Sequence, residues 1–391
     1  MKCINANEIL PQKLVEEIQK YIQGETIYIP KKDKQINKPP TEYKIELQKR
    51  NVRIYLQHLE GVSNQQLAES FNLAQSSIRR IIIEQREGYR AMSERIQTLL
   101  PQWNLHNEAI KQIYNSTWQI GDSYVLKLYS ESESLQRNIL INQHLDKMGI
   151  PVGRLLKTNN GALYTEDNGQ YFFVSEKLKG SNIVKLKLRN NKAEMMGEII
   201  ANLHIAFKSF EDKAEFWENS ILDEMNGWVK ESLEKSGWHN ISCDEYEEII
   251  VNLQKHYNSL PVQLIHRDVH FGNFLFDKQK FSGYIDFDLS QKNIRILDLC
   301  YFVLSVLSEK EKFGITEEMW FEFAEKVFAG YNKILKLSNE EKQSAVFIME
   351  SIELLFLAFF ESREDSALAE NTYNVFKFIK ANEKRITRII R

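Results

Sequence analysis

A short loop between two strand-like runs constrains this chain more than any other feature. Residues 264 to 276 read LIHRDVHFGNFLF, so Asp268 follows an apolar run and Asn273 comes five residues later. A second apolar run, in FSGYIDFD, ends at Asp286 and Asp288. Such runs predict short strands, and the residues after a strand lie in loops that can present polar side chains. An isolated Asp and Asn at this spacing usually form an ordinary turn, so other residues must decide the role of the loop.

The residue types around this loop suit the transfer of a phosphoryl group. Such a transfer needs positioned phosphates, divalent cations that absorb charge, and a carboxylate that orients the attacking hydroxyl. Asp268 can face the hydroxyl, and the side-chain oxygen of Asn273 suits a hard cation such as Mg²⁺. Asp286 can bridge the metal and the phosphates, with Asp288 as a second metal-binding carboxylate. Lys127 lies upstream on the apolar strand VLKLY, and the order Lys, Asp, Asn, Asp matches the kinase signature set.

The loop resembles a motif of a known family. HRDVHFGN is similar to the HGDLHPGN pattern of the aminoglycoside phosphotransferase and choline kinase family, and His270 distinguishes it from the HRDLKPEN pattern of protein kinases. ANLH and Asp298 in IRILDL resemble further motifs of that family. The resemblance covers about residues 105 to 385. It implies that ATP or GTP binds with Mg²⁺ and that a hydroxyl of a small molecule accepts the phosphoryl group.

The resemblance also assigns residues to nucleotide binding. EKLKGSN is similar to the hinge of the family, which assigns Glu176 and Leu178 to the nucleotide. NSTWQI stands where the family has a glycine-rich loop, and Ser116 and Thr117 could close over the phosphates. Lys127 is expected to grip the phosphates.

The chain departs from the family pattern in the catalytic loop and in the helix after Lys127. Arg267 replaces the usual glycine of the catalytic loop, a position that does not carry the chemistry. In the helix after Lys127, Asn138 stands where the family has a glutamate that pairs with the lysine. Either Glu131 or Glu133 substitutes from a shifted register, or the pair is missing. The second departure keeps a rival interpretation open, in which the kinase-like part senses a ligand and regulates without turnover.

The order of strand-like and helical segments along the chain predicts an α+β, bilobal protein-kinase-like fold preceded by a small helix-turn-helix domain. Residues 99–180 contain most of the short strand candidates and form the predicted β-rich lobe. Residues 181–391 are mostly helical and form the second lobe. Residues 1–98 form the head domain. The acidic helix near residues 349–365 carries Glu350, Glu353, Glu361 and Glu364, which form either a solvated face or a cleft that attracts an amine.

The head has the helical pattern of a DNA-binding module. Apolar spacing predicts a helix from Glu42 to Leu59, and Ser63 caps a second helix that runs through Phe71. A third helix is predicted from Gln75 to Gln85, with Ile78 and Ile81 inside. Two short helices joined by a three- or four-residue turn are typical of the helix-turn-helix unit.

The exposed face of the third head helix offers side chains that can read bases or bind phosphates. These are Gln75, Ser76, Ser77, Arg79 and Arg80. QGETIYIPKK resembles the strand opening of Mor-like transcription activators, and that resemblance, over about residues 5–88, implies DNA binding and a homodimer. The alternative is a small helical docking domain without a role on DNA.

Charge, cysteine content and apolar runs indicate the compartment and the partners expected for the chain. Residues 1 to 98 carry 16 basic and 12 acidic side chains, a net charge of +4, whereas the whole chain has a net charge of −3. The three cysteines have no metal-type spacing and are too few for a disulfide framework, which favours a reducing cytoplasm. The longest apolar run, IELLFLAFF, is too short for a membrane span, so no membrane partner is expected.

Overall fold

The computed structural model describes residues 13, 15, 20, 42–182, 191–210, 215–278, 280–363 and 365–390. The chain divides into two compact units, Met1–Ile82 and Ile83–Arg391. The predicted strand TIYIP lies outside the described residues.

The first unit contains a short helix between two longer ones: α1 (Glu42–Leu59), α2 (Asn64–Ser70) and the start of α3 (Gln75–Leu99). Ser63 and Gln66 form a capping box, in which the Ser63 hydroxyl accepts from the Gln66 backbone N–H and the Gln66 side chain accepts from the Ser63 N–H. This cap fixes the start of α2 as the sequence predicts.

Apolar side chains from all three helices form the core of this unit. The buried residues include Val52, Ile54, Leu67, Ile78 and Ile81. The inward positions predicted for the two isoleucines of α3 are therefore confirmed.

Helix α3 is longer than the sequence pattern predicted. The prediction ended at Gln85, three residues before Gly88, yet the helix continues to Leu99. Apolar residues still recur at helical spacing beyond the glycine, and Ile96 and Leu99 are buried. The α-helix ends one residue before a 3-10 turn with Pro101 near its start. The predicted domain boundary at residue 98 falls inside this helix.

The β-rich lobe is an antiparallel sheet with the strand order β1-β2-β3-β5-β4. Its strands are β1 (Ile110–Tyr114), β2 (Thr117–Ile120), β3 (Tyr124–Tyr129), β4 (Thr165–Asp167) and β5 (Gln170–Glu176). The end of α3 packs on one face, where Phe172 and Val174 are buried. Phe173 points to the other face, where α4 (Ser132–Lys147) packs. Side-chain alternation therefore puts Lys127 and Tyr129 of β3 on the opposite face from Leu126.

The second lobe is mainly helical. Its longer helices are α5 (Asn191–Lys208), α8 (Cys243–Tyr257), α9 (Ile296–Ser308), α11 (Glu317–Ile334), α12 (Asn339–Glu361) and α13 (Ser366–Ala381). Its shorter helices are α6 (Ile221–Glu224), α7 (Lys230–Lys235), α10 (Lys310–Phe313) and α14 (Glu383–Ile390), with a π turn at Met225–Val229. Two antiparallel strand pairs flank the loop that contains Asp268 and Asn273. They are β6 (Val262–Ile265) with β9 (Gln291–Ile294) and β7 (Phe274–Asp277) with β8 (Lys280–Tyr284).

Helix α12 passes through the core of this lobe. Among the described residues it is long and apolar enough to cross a membrane, but 67% of its apolar window is buried inside the protein. A core helix of a folded domain passes the same test, so the apolar character of α12 is explained by its packing.

The segment after β5 connects the sheet to the helical lobe. Ser181 exchanges two backbone hydrogen bonds with Phe276 of β7, at 3.1 and 3.0 Å. Gly180 has a φ of +95°, and a Cβ there would lie 2.2 Å from the Phe276 carbonyl oxygen, so glycine is required. The Asn182 amide donates to the Gly272 carbonyl at 2.5 Å. The connection is therefore fixed directly to the catalytic-loop region.

Candidate active site

The loop that follows β6 is anchored by a buried carboxylate. Asp298, at the start of α9, is fully buried and accepts hydrogen bonds from the backbone N–H groups of His266 and Arg267, both at 2.8 Å. His204 of α5 contacts the same carboxylate at 3.1 Å and the Tyr331 hydroxyl at 2.8 Å. A buried carboxylate that accepts several hydrogen bonds fixes the backbone around it, so Asp298 sets the path of the loop just before Asp268.

Arg267 adopts a backbone conformation that glycine favours. Its φ is +71°, in the left-handed region, which costs a residue with a Cβ about 1 kcal/mol or more. The hydrogen bond from its N–H to Asp298 and an ion pair between its guanidinium and Glu224, at 2.9 Å, hold it there. The family pattern with glycine at this position is therefore explained by backbone geometry, and this chain meets the same geometry with extra contacts.

Asp268 is partly exposed and held by three side chains. Its carboxylate accepts from the Tyr301 hydroxyl at 3.1 Å and from the Asn273 amide at 3.0 Å, and it lies 3.5 Å from His270 Nε2. Burial would raise the pKa of Asp268, but His270, together with His266 and Asn273, outweighs burial and lowers the pKa to about 2. The side chain is therefore a carboxylate at neutral pH, oriented on both oxygens.

His270 orients the loop as well as contacting Asp268. Its Nδ1 accepts the Gly272 backbone N–H at 3.0 Å, so the Nε2 edge of the ring faces the carboxylate. A Cβ at Gly272 would lie 2.4 Å from the His270 ring, so a larger residue there would push the ring away from the Gly272 N–H. His270, the residue that distinguishes this loop from the protein-kinase pattern, therefore also shapes the loop.

Lys127 meets the two aspartates that follow β8. Its Nζ lies 2.9 Å from Asp286 Oδ1 and 2.7 Å from Asp288 Oδ2. Burial would lower the pKa of Lys127, but the two carboxylates outweigh burial and raise the pKa above its ordinary value. Burial raises the pKa of Asp286, and Lys127 outweighs it, so the net pKa is lowered. The strand lysine and the aspartates therefore form one charged cluster.

Asn138 contacts Asp288. Its Nδ2 donates to Asp288 Oδ1 at 2.7 Å, and the Tyr129 hydroxyl donates to the same oxygen at 2.7 Å. Among the described residues, the ion pairs of Lys127 are those with the two aspartates and do not involve Glu131 or Glu133. The suggested substitution from a shifted helix register is therefore wrong, because the carboxylate partners come from the loop after β8.

The residues assigned to the nucleotide lie on the sheet and on the connection that follows it. Ser116 lies in the turn of the β1–β2 hairpin, and Thr117 is the first residue of β2 and pairs directly with Lys127 across the β2–β3 register. The Ser116 carbonyl accepts the Leu128 N–H at 2.9 Å. The hairpin tip is thus adjacent to the lysine, as a phosphate-covering loop requires.

The two hinge residues flank the end of β5. Glu176 is the last residue of β5 and is exposed, and Leu178 follows it. A Cβ built on Gly283 of β8 would lie 2.7 Å from the Leu178 side chain, so Leu178 packs against the strand that leads to Asp286. Their contact with a nucleotide stays a prediction.

The donor set suits a metal ion that is shared with a nucleotide. Among the described residues, no three His, Cys, Asp or Glu side chains form a metal-binding group. Mg²⁺ commonly takes one or two protein oxygens and completes its shell with phosphate and water. The amide nitrogen of Asn273 faces Asp268, which leaves its amide oxygen as a ligand, and Asp286 is partly exposed. These two side chains fit such a shared ion, whereas Asp288 is already bonded to three donors.

A cavity of about 460 Å³ lies beside Asp268. His270 and Tyr301, which both contact Asp268, line it. Other lining residues include Leu304, Phe313, Glu353, Phe356 and Phe360. Tyr301 cannot be found from the sequence, because an isolated tyrosine in an apolar helix gives no signal of its own.

Glu353 is the buried acidic group of this cavity wall. It lies on α12 and is 5% exposed. Burial raises the pKa of Glu353 to about 8. Of the four glutamates considered in this acidic region, Glu353 is one that lines the cavity, whereas Glu361 accepts hydrogen bonds from Ser236 and Asn240. Glu364 lies outside the described residues.

The side chains predicted to contact DNA lie at the start of α3. Gln75, Ser76, Arg79 and Arg80 are exposed, and Ser77 is half-buried. Their exposure agrees with the predicted face, while DNA binding itself stays a prediction.

These features define a phosphotransferase with an alcohol group as acceptor. They are a bilobal fold of sheet and helices, a strand lysine paired with aspartates, an oriented aspartate after β6, and Asn273 and Asp286 as metal-type donors. The chain belongs to the phosphotransferase enzyme family, whose model matches residues 108–335.

Curated relatives and solved structures agree with this class. The chain is 24% identical over 254 residues to a homoserine kinase of Zymomonas mobilis, covering 60% of this chain and 72% of that protein. It is 24% identical over 187 residues to a probable aminoglycoside 3'-phosphotransferase of Lactococcus lactis, covering 46% of this chain and 66% of that protein. An amicoumacin kinase structure, in complex with AMP-PNP, Ca²⁺ and its ligand, shares the fold with a TM-score of 0.56 and 17% identity, covering 72% of this chain and 93% of that chain.

Another relative matches a shorter part of the chain. Over 84 residues, or 21% of this chain, it is 36% identical to the uncharacterized protein YraL of Bacillus subtilis, of which it covers 97%. This part of the chain belongs to the same family as YraL.

Proposed function

We propose that this protein transfers the γ-phosphate of ATP or GTP to a hydroxyl group of a small molecule held in the cavity beside Asp268. The observation that carries the proposal is the position of Asp268, whose carboxylate contacts two residues of the cavity wall and Asn273. An acceptor hydroxyl in this cavity would meet an ionised, oriented carboxylate.

In the proposed reaction, the acceptor oxygen forms a bond to the γ-phosphorus while the bond to the leaving nucleotide oxygen breaks. Asp268 accepts a hydrogen bond from the hydroxyl and orients its oxygen toward the phosphorus. Because its pKa is about 2, it is a weak base, so it contributes more by orientation than by early removal of the proton. As the new bond forms, the proton passes from the acceptor oxygen to the Asp268 carboxylate, which then releases it to solvent.

Lys127, Asn273 and Asp286 would serve the phosphates. The Lys127 ammonium would exchange part of its contact with Asp286 for nucleotide phosphate oxygens. Asn273 and Asp286 would hold Mg²⁺, which supplies positive charge to the phosphates when it is bound with the nucleotide. Ser116 and Thr117 would cover the phosphates from the hairpin tip, with Glu176 and Leu178 at the nucleotide base.

The cavity suits an acceptor with an apolar body and one polar anchor. Phe356 and Phe360 supply aromatic wall, and Glu353 supplies a buried carboxyl. An amine on the acceptor could pair with this carboxyl once it loses its proton, whereas a neutral acceptor would use it as a hydrogen-bond donor or acceptor. Amino alcohols and amino sugars are therefore the first compounds to test.

The test is acceptor-dependent release of ADP in the presence of Mg²⁺. A panel of amino sugars, choline, macrolides, thiamine and homoserine would be offered to the wild-type chain and to Asp268→Asn. The proposal expects at least one compound to stimulate nucleotide turnover in the wild type only. Tight nucleotide binding without turnover on any hydroxyl compound would favour the rival, a ligand-sensing regulator.

The ion pairs of Lys127 weaken the case for the rival, a ligand-sensing regulator without turnover. Asn138 in the position of the helix glutamate suggested an unpaired lysine, but Lys127 pairs with Asp286 and Asp288. The sequence departure therefore does not remove the ion pair that holds the lysine.

We also propose that the first unit binds DNA through the exposed start of α3. Support comes from the exposure of Gln75, Ser76, Arg79 and Arg80 and from the basic balance of residues 1–98. A mobility shift of DNA fragments by the full chain should weaken with salt and be lost in the Arg79→Ala, Arg80→Ala double variant. Equal shifts by the wild type and this variant would instead favour a docking domain.

A further inference from the structure

Protein donors contact both carboxylate oxygens of Asp288. Its Oδ1 accepts from the Tyr129 hydroxyl and from the Asn138 amide, both at 2.7 Å, and its Oδ2 faces Lys127 at 2.7 Å. Two donors and one ammonium therefore already surround the carboxylate. Both lone pairs of Oδ1 are therefore engaged, and a metal ion could reach the carboxylate only at the remaining lone pair of Oδ2, beside the like charge of the Lys127 ammonium.

The contacts of Asp288 are themselves oriented by a second layer. Asn142, one helical turn after Asn138 on α4, donates its amide to the Asn138 side-chain oxygen at 2.7 Å and to the Asn138 backbone carbonyl at 2.8 Å. Because the Asn138 oxygen accepts from Asn142, its nitrogen is the end that faces Asp288. The buried amide is thus fixed as a donor, which is what a carboxylate partner requires.

Tyr129 completes the same arrangement from the sheet. It lies two residues after Lys127 on the same face of β3, and the ammonium lies 5.5 Å from the centre of its ring. Its hydroxyl donates to Asp288, so one tyrosine contacts both members of the ion pair. Lysine, tyrosine, asparagine and aspartate therefore form one connected unit across β3, α4 and the loop after β8.

We propose that Asp288, held by Asn138 and Tyr129, positions Lys127 for the nucleotide phosphates and takes the role that a glutamate of the helix after the lysine strand has in kinases. Asn138 is then the matching change, because a glutamate at that position would bring a second carboxylate against Asp288. In this exchange, the loop supplies the carboxylate that meets the lysine, and the helix supplies a neutral partner. This inference rests on the proposed function, since it assigns the lysine to nucleotide phosphates.

The exchange predicts how single and double variants behave. Asp288→Asn removes a charge-assisted contact from Lys127 and should weaken nucleotide binding by about tenfold or more. Asn138→Glu alone places two carboxylates together and should also impair binding. The double variant, Asn138→Glu with Asp288→Asn, returns one carboxylate to the unit and should bind nucleotide more tightly than either single variant.

The experiment measures the affinity of a fluorescent ATP analogue for the full chain, with Mg²⁺ and with EDTA. If Asp288 positions Lys127, Asp288→Asn weakens binding under both conditions and the double variant recovers part of the loss. If Asp288 is a metal ligand, the loss appears only with Mg²⁺, and that result overturns the inference. Tyr129→Phe, which retains the ion pair, should give a smaller loss with the same independence from Mg²⁺.

The outcomes separate this inference from the proposed function. A wild-type chain that binds no ATP analogue under either condition contradicts the proposed function and the inference with it. A wild-type chain that binds, with Asp288→Asn binding equally well, contradicts the inference alone.

Discussion

Replacing Glu353 with glutamine should change stability in a way that depends on pH. Burial raises the pKa of this carboxyl from 4.5 to about 8, so the folded protein keeps it protonated while the unfolded chain ionises it. The contribution of Glu353 to stability is therefore full below pH 4.5 and falls as the pH rises toward 8. Each pH unit in this window costs ~1.4 kcal/mol, so the loss approaches about 5 kcal/mol above pH 8.

Glu353→Gln removes this titration without changing the size of the side chain. Relative to the wild type, the variant should gain stability as the pH is raised from 5 to 9, by as much as a few kcal/mol. Thermal unfolding of the full-length chain at pH 5, 7 and 9 measures the difference. A difference between the two proteins that stays constant with pH would show that Glu353 is ionised in the folded state and would refute the reasoning.

Glu350 provides a matched control on the same helix. It is also buried, and burial, more than the nearby Lys380 and Glu383, sets its pKa at about 8, but it does not line the cavity. Glu350→Gln should reproduce the pH-dependent gain in stability and leave the KM for an amine-bearing acceptor unchanged. Glu353→Gln should raise that KM about tenfold, the size expected when a charged hydrogen bond is lost. Equal KM values for both variants would remove Glu353 from the acceptor site.

Two further variants test how the catalytic loop is held. Asp298→Asn replaces an acceptor oxygen by a donor that faces backbone N–H groups. The free energy of unfolding should therefore fall by about 2–3 kcal/mol, and turnover should fall with it. Unchanged unfolding in urea would contradict the anchoring role. Arg267→Gly and Arg267→Ala both lose the ion pair with Glu224, but only glycine relieves the strain of the positive φ. The glycine variant should therefore be more stable than the alanine variant by about 1 kcal/mol. Equal stabilities in the same assay would count against strain at Arg267.

Much of the site could be predicted from the sequence because its signals are local. Asp268, Asn273 and Asp286 stand at fixed short spacings after apolar runs, and strand alternation places Lys127 opposite the buried face of β3. The strands of the sheet and the cap at Ser63 follow from the same kind of short-range pattern.

The remaining features depend on contacts between distant parts of the chain. Asn138 looked like a missing partner because its bond to Asp288 joins residues 150 positions apart in the sequence, which a single sequence does not reveal. Tyr301 reaches Asp268 from α9, and Glu353 reaches the same cavity from α12. Helix α3 exceeded its predicted end because packing of Ile96 and Leu99 outweighs the low helix propensity of Gly88.

The central claim is that Asp268 directs a hydroxyl of a bound small molecule onto the γ-phosphate. The most direct measurement follows ATP with a labelled γ-phosphate in a single turnover, with an acceptor that stimulates the wild-type chain, in the wild type and in Asp268→Asn. This role of Asp268 predicts that the label moves to the acceptor in the wild type, that transfer is at least about a hundredfold slower in the variant, and that both proteins bind ATP with similar affinity. Transfer at the wild-type rate by Asp268→Asn would contradict it.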